Sequence, residues 1–222
     1  MADYLDIDED LQKKFPGLAA QILLFRDVNV KRESPQLKDY KEEVYREINH
    51  LWTLDGLKDD PVFRAYRDFF WRLGIDPTKN RPAAEALIRR TLRGNPIPRI
   101  NTWVDAYNLV SMLTAIPIAS FDSDKLSGDL LMREARQGEE FMGIGMKSPV
   151  TLSGGEAVIE DASRLIAIYP YRDADYSKVT MATRNVYMLM CGAPEISLEK
   201  LAESSEQAVK LMLRFCDGSI KN

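Results

Sequence analysis

The spacing of apolar residues changes once along this 222-residue chain, and that change limits the fold more than any motif. From Ser34 to about residue 116 they recur every three or four positions, the period of a helix. From Pro117 onward they gather in short runs between Gly, Pro, Asp and Ser, the pattern of strands and turns. A first strand is expected over about Ala19 to Val30, after the Pro16-Gly17 turn. Ser34-Pro35 and Asp60-Pro61 are helix starts, an N-cap followed by proline in the first turn. The first of these helices carries Leu37, Tyr40, Val44, Ile48 and Leu51, and the second Phe63, Tyr66, Phe70 and Leu73 before Gly74. Phe69, Phe70 and Trp71 suit core packing at this spacing better than base stacking. Further strands are expected at Asp129 to Arg133, within Phe141 to Leu152, and at Ala157 to Ile159, Leu165 to Tyr169 and Asn185 to Cys191, with Ser153-Gly154-Gly155 as a hairpin-type turn. Ser197 caps a last helix with Leu198, Leu201, Val209, Met212 and Phe215 on its core side. This order is α+β rather than a regular βαβ alternation. It predicts a helical N-terminal half packed on a mixed, partly barrel-like β-sheet, with a closing C-terminal helix. No repeat or low-complexity linker divides the chain, so residues 1–222 read as one domain.

The two halves meet in residues 81–122. Pro82 opens a helix with Leu87, Ile88, Thr91 and Leu92 as its apolar stripe, Glu85 to Arg89 as an i,i+4 pair, and Gly94 as its stop. Asn95-Pro96-Ile97-Pro98 is held extended by its prolines. Thr102 then reads as an N-cap with Asp105 three residues on, and Asn101, Asp105 and Asn108 fall on one face. Between residues 79 and 99 the basic residues are Lys79, Arg81, Arg89, Arg90, Arg93 and Arg99, against Glu85 alone. Such a cluster suits RNA phosphates, and it also suits an ordinary solvated helix face with a basic last turn.

With 45% hydrophobic and 29% charged residues, the chain has the composition of a soluble globular protein. Its net charge of −4 weighs against strong general binding to nucleic acid, and DNA is not expected as a partner. The apolar runs are too short to span a membrane, and the acidic start MADYLDIDED lacks a signal core. Two cysteines, Cys191 and Cys216, make no disulfide framework, so a cytoplasmic setting is expected. His50 is the single histidine, which nearly excludes histidine-based metal sites and Ser-His or Cys-His catalysis. No P-loop or metal motif occurs, and no cofactor or metal is expected.

An ordered series of residues carries a family resemblance. It runs Glu85-Ala86-Leu87-Ile88-Arg89-Arg90, Pro98-Arg99-Ile100-Asn101, Val104-Asp105-Ala106-Tyr107-Asn108, Pro117, Phe121-Asp122, Asp124-Lys125-Leu126 and Gly128. Arg133-Glu134-Ala135, Gly138-Glu139, Asp161, the run from Leu165 to Tyr169, Asp173, Asp175, Val179-Thr180, Thr183 and Asn185-Val186 continue it. Over about residues 66–192 the chain resembles the editing module of the phenylalanyl-tRNA synthetase β subunit, the region called domains B-three and B-four. That resemblance implies an editing-type domain as a separate protein, acting in trans to deacylate a mischarged aminoacyl-tRNA, or a non-catalytic module that binds an amino acid or a tRNA end. The implied partners are the aminoacylated 3′ end of a tRNA and a free amino acid. In the family, the module releases tyrosine wrongly attached to phenylalanine tRNA, using a polar group that reads the tyrosine hydroxyl. A positioned water and the terminal ribose hydroxyl suffice for such chemistry, and the catalytic residues are left open. The family pattern has a histidine where this chain has Ala119. Its tyrosine-reading glutamate corresponds to Asp173 or Asp175 here, with Arg172 an added cation. Arg172 suits either an amino acid's charged group or a salt bridge. Cys191 and Gly192 end the strand expected to form the pocket wall, with Cys191 read as a small buried hydrophobe. Asn101 and Asn108 either line the pocket or satisfy buried backbone.

Overall fold

A computed structural model describes residues 3–221. In chain order the elements are β1 (Asp3–Tyr4), β2 (Asp6–Ile7), α1 (Glu9–Lys14), β3 (Ala20–Arg26), α2 (Pro35–Leu51), α3 (Pro61–Arg72), α4 (Ala83–Leu92), α5 (Thr102–Thr114), β4 (Ile118–Asp122), β5 (Leu131–Glu134), β6 (Glu140–Phe141), β7 (Val150–Thr151), β8 (Ala157–Glu160), β9 (Leu165–Ile168), β10 (Arg172–Asp173), β11 (Val186–Cys191), α6 (Leu198–Cys216) and β12 (Ser219–Lys221). This is the α+β order expected. Among the described residues the strands form separate sheets and no closed barrel. One sheet runs β1-β3-β11-β4, all antiparallel, with β12 also on β3. A second runs β10-β9-β8-β5-β2 and is mixed, because β2 joins β5 in parallel, and β6 and β7 form a third, two-stranded sheet. Among the described residues no helix is long and apolar enough to cross a membrane.

The expected helix starts hold, with one shift. Ser34 and Asp60 accept from backbone N–H groups of the turns they cap, and Ser197 does the same for α6. The cap of α5 is Asn101, not Thr102. Asn101 is extended, and its side chain accepts from Val104 N–H at 2.9 Å, while the Thr102 hydroxyl accepts from Lys31 N–H. Asp105 does reach back over the helix start, to the Ile100 N–H at 2.9 Å. Its other oxygen takes the Lys41 ammonium at 2.9 Å, a buried ion pair that ties α2 to α5.

Other boundaries moved for identifiable reasons. The first strand stops at Arg26, because Asp27 adopts a positive φ of 55°. Gly154 and Gly155 turn with positive φ, but they lead from β7 to β8, which lie in different sheets, so no hairpin forms there. Leu198 sits in the first turn of α6 and is 54% exposed, while Leu201, Met212 and Phe215 are buried. Phe69 and Phe70 are core residues, and Trp71 on the next position of α3 is exposed. The main core joins the helices to the antiparallel sheet, with α5 packed against α2, α4 and α6. A smaller apolar cluster of Phe141, Leu152, Val158 and Leu165 fills the space beneath the β6–β7 pair.

Candidate functional site

The edge strand β4 is the hinge of the site. Ala115 takes a left-handed turn at the end of α5, and Pro117 then starts the extended path into β4. One edge of β4 pairs with β11, and β10 of the other sheet lies nearby. A cavity of about 190 Å³ opens there. Its floor is apolar, from Ile118, Ala119, Ile159, Ala167 and Ile168, and α5 adds Tyr107 and Asn108. The turn after β9 supplies Tyr169 to Tyr171, β10 supplies Arg172 and Asp173, and Cys191 and Ala83 close the sides.

The end of β11 is fixed by two buried hydroxyls. Tyr66 donates to the Cys191 carbonyl at 2.6 Å and Tyr169 to the Gly192 carbonyl at 2.7 Å. Gly192 itself faces away from the cavity: a Cβ there would stand 2.3 Å from the Ala19 carbonyl oxygen. Its part is close packing against the chain entering β3, so it is not a lining residue. The Cys191 thiol is held protonated by burial and by the charge of Asp173, so it is no nucleophile at neutral pH.

Asp173 is the carboxylate of this cavity. It is half-buried, and desolvation pushes its pKa up to about 7, against the opposing pull of the Ser120 amide. Tyr107 is raised above the usual phenol range by burial first and then by Asp173. Asp175 lies outside the cavity lining. Both its oxygens bind Lys178 Nζ, at 2.8 and 2.9 Å. Arg172 makes no salt bridge among the described residues. Its guanidinium donates to the Ile144 carbonyl at 3.0 Å and to the Tyr171 hydroxyl at 3.3 Å, and it lies over the Tyr171 ring at 5.1 Å. Of the two asparagines, Asn108 lines the cavity, whereas Asn101 caps α5 and donates to the Val179 carbonyl. Ala119 lines the cavity with its methyl group.

The basic segment divides by use. Arg89 is spent on Glu85, which is fully buried and also holds Arg67 by two bonds at 2.5 and 2.8 Å. Arg90 donates to the Pro96 carbonyl and so braces the proline connector. Lys79 and Arg99 make only long contacts, at 3.9 Å, to Asp76 and Glu33. Among the described residues the Arg81 and Arg93 side chains have no hydrogen-bond or ion-pair partner. Lys79 and Arg81 flank the cavity, because Ala83 is in its wall and the Tyr171 hydroxyl meets Asn80 at 3.4 Å. Arg93 and Arg99 lie beyond the ten residues of α4, about 15 Å of helix away.

A larger hollow of about 480 Å³ lies against Arg133, Arg136, Glu139, Glu160 and Arg164. Its charges answer one another: Arg133 binds both Glu139 and Glu160. The smaller cavity is the better candidate, because Arg172 and Asp173 there form no ion pair among the described residues. Sequence reasoning missed Tyr66, Tyr169 and the Glu85–Arg67 pair. The first two look like ordinary apolar-face residues and carry no separate signal. Lys41 had one, a charge on the stripe of Leu37, Val44 and Ile48.

The B3/4 domain model matches residues 65–217. The chain belongs to the B3/4 domain family. It is 27% identical to the phenylalanine–tRNA ligase beta subunit of Psychrobacter arcticus over 175 residues, covering 78% of this chain and 20% of that one. The beta subunit of Neisseria meningitidis serogroup B is 27% identical over 197 residues, covering 77% of this chain and 25% of its own. This B3/4 domain protein therefore spans a fifth to a quarter of the length of these relatives. Its fold is similar to the crystal structure of an N-terminal fragment of the phenylalanyl-tRNA synthetase beta subunit from Pyrococcus horikoshii. The TM-score is 0.51 at 15% identity, over 97% of this chain and 49% of that one.

Proposed function

We propose that this B3/4 protein hydrolyses the ester of a mischarged aminoacyl-tRNA. The observation that carries the reading is Asp173: a half-buried carboxylate free of any ion pair among the described residues, in the wall of a small apolar cavity. A volume of about 190 Å³ is below the roughly 300 Å³ at which drug-sized pockets begin, so it suits an amino-acid side chain and not a nucleotide. Asp173 accepts a hydrogen bond from a donor on the bound aminoacyl group, and a ligand without that donor leaves the carboxylate unpaired. Arg172 at the rim stabilises the negative charge that grows on the ester carbonyl oxygen as water attacks. The bond to the ribose oxygen breaks, the attacking water's proton passes to that oxygen, and free amino acid and tRNA leave. Lys79 and Arg81 beside the cavity, with Arg90, Arg93 and Arg99 further along, are the proposed phosphate contacts. Arg89, tied to Glu85, is the weakest member of that set.

The test is a deacylation panel of mischarged tRNAs that includes tyrosyl-tRNA for phenylalanine. One species is expected to be cleaved above the buffer rate. Asp173→Asn is expected to lower kcat/KM about 10- to 100-fold, the worth of one charge-assisted hydrogen bond. Asp175→Asn, outside the cavity, changes it less than about twofold, a surface substitution. Silence across the panel from folded protein removes the deacylase reading. The alternative, a non-catalytic module that binds an amino acid or tRNA end, is favoured by Ala119, which adds only a methyl group to the wall. It predicts thermal stabilisation by such a ligand without turnover.

A further inference from the structure

Trp71 is the aromatic of the run Phe69-Phe70-Trp71 that the core does not use. The buried face of α3 is Phe63, Ala65, Tyr66, Phe69 and Phe70. Trp71 stands outside it, 55% exposed, and its ring meets no other aromatic and no cation among the described residues. A tryptophan left in water forgoes one of the largest burials a side chain offers. The surface around it shows what restores that burial.

That surface is cationic. α3 carries three arginines, Arg64, Arg67 and Arg72, against Asp68 alone. Arg64 lies two helical turns before Trp71, about 10 Å along the axis and on the same stripe. Its side chain has no hydrogen-bond or ion-pair partner among the described residues. Arg67, between them, is taken up by Glu85. Arg72 is held in place without being neutralised: it donates to the Lys14 carbonyl at 2.9 Å and lies over the Phe15 ring at 4.7 Å. The chain then runs on to Lys79 and Arg81, and Asp76 on the way is turned onto Thr78. A stable protein interface surrounds its tryptophan with further apolar side chains. On its exposed side Trp71 has Arg67, Asp68 and Arg72 instead. A flat indole between uncompensated guanidinium groups is complementary to a nucleotide, whose base has a π-face and whose phosphates are anionic.

We infer that the outer face of α3 is a contact for an unpaired RNA nucleotide, with the base stacked on Trp71 and the flanking phosphates on Arg64 and Arg72. This face is apart from the cavity, because α3 sends Tyr66 to the strand end there and leaves Trp71 on the solvent side. The inference rests on the RNA-directed part of the proposed function and takes nothing from its chemistry. It has the protein hold RNA whether or not an amino acid is attached.

The experiment titrates the intact chain with a short oligoadenylate and with uncharged tRNA, reading tryptophan fluorescence and affinity. Of the three tryptophans, Trp103 is buried and Trp52 is half-buried against Phe63, so Trp71 reports the exposed face. RNA is expected to quench the emission, and Trp71→Phe to change that quenching more than it changes affinity, since a smaller ring still stacks. Trp71→Ala is expected to weaken binding about 10- to 100-fold, the worth of one stacked base. Arg64→Gln is expected to weaken it evenly across RNA sequences and to lower the salt slope by about one. Both positions are exposed, so these substitutions leave the core intact. Unchanged affinity in Trp71→Ala, or no RNA binding at all, overturns the inference. So does polyglutamate that quenches as strongly as RNA, which assigns the face to an acidic protein partner. The deacylation panel on the same preparation keeps the two readings apart. Cleavage by the parent together with unchanged RNA affinity in Trp71→Ala sinks the α3 contact and leaves the enzyme. Binding that depends on Trp71, without cleavage of any species, does the reverse.

Discussion

Replacing Asp173 by Asn tests the electrostatics of the cavity without any substrate. In the fold the carboxyl titrates near 7 instead of the ordinary 3.8. At about 1.4 kcal/mol per pH unit, complete burial would destabilise the ionised form by about 4 kcal/mol. Asp173 is partly exposed, and solvent screening lowers this to about 2 kcal/mol. The sign follows from proton binding. Below pH 3.8 folded and unfolded chains both hold this proton. Between that value and about 7 the unfolded chain has lost it and the folded chain keeps it, so stability falls as pH rises through the window. The Asn variant carries no such dependence. Its stability relative to the parent should therefore climb by about 2 kcal/mol from pH 4 to pH 8, or about 4–8 °C in Tm for a chain of this size. Thermal or urea unfolding of both proteins across that range reads the difference, in which other carboxylates cancel. A constant offset between the two curves refutes the desolvated carboxyl, and with it the basis for placing Asp173 at the cavity's functional centre.

Three further outcomes are expected. Glu85→Gln leaves Arg67 and Arg89 without their buried counter-ion and should cost about 3 kcal/mol in urea unfolding, the lower end for a broken buried pair because both arginines are partly exposed. Burial would raise the Glu85 pKa, but the two arginines outweigh it and hold it below 4.5, so its contribution is full above that pH and the gap to the variant should close as the pH falls through the folded value. Gly192→Ala puts a Cβ 2.3 Å from a backbone oxygen and 3.0 Å from Leu201 Cδ1, and should lower stability by about 1–3 kcal/mol in thermal unfolding. Both thiols are buried, with Cys216 pushed up to about 12 and Cys191 higher still by burial, so a thiol reagent at neutral pH should label neither in native protein and both after denaturation; rapid native labelling of Cys191 would contradict the packed strand end.

Much of the helical part was legible because its signals are local. Ser34-Pro35, Asp60-Pro61 and Ser197 each act through a side chain on N–H groups two or three residues away. The α5 cap was misplaced by one residue because Asn101 and Thr102 are both competent, and the choice fell to Lys31, seventy-one residues away, which claims the Thr102 hydroxyl. The short strands β1, β2, β10 and β12 were not legible. Two or three residues carry no alternation, and partners such as β3 and β5 decide their pairing. In the site, Asp173 and Asp175 are equivalent in sequence, and only the bend after β10 sends one into the cavity and the other to Lys178.

The sequence by itself determined the helical and β-rich halves, most helix starts and the family, because periodicity, caps and motif order are properties of the chain read in one dimension. Tertiary structure alone decided which charges remain free. Arg89 finds Glu85 one turn away on α4, a pair the sequence shows, but only the packing of α3 adds Arg67 to that buried carboxylate, and no carboxylate among the described residues meets Arg172. A charge's worth depends on what desolvates it and on every group that opposes it, and the first of these comes from residues distant in the chain.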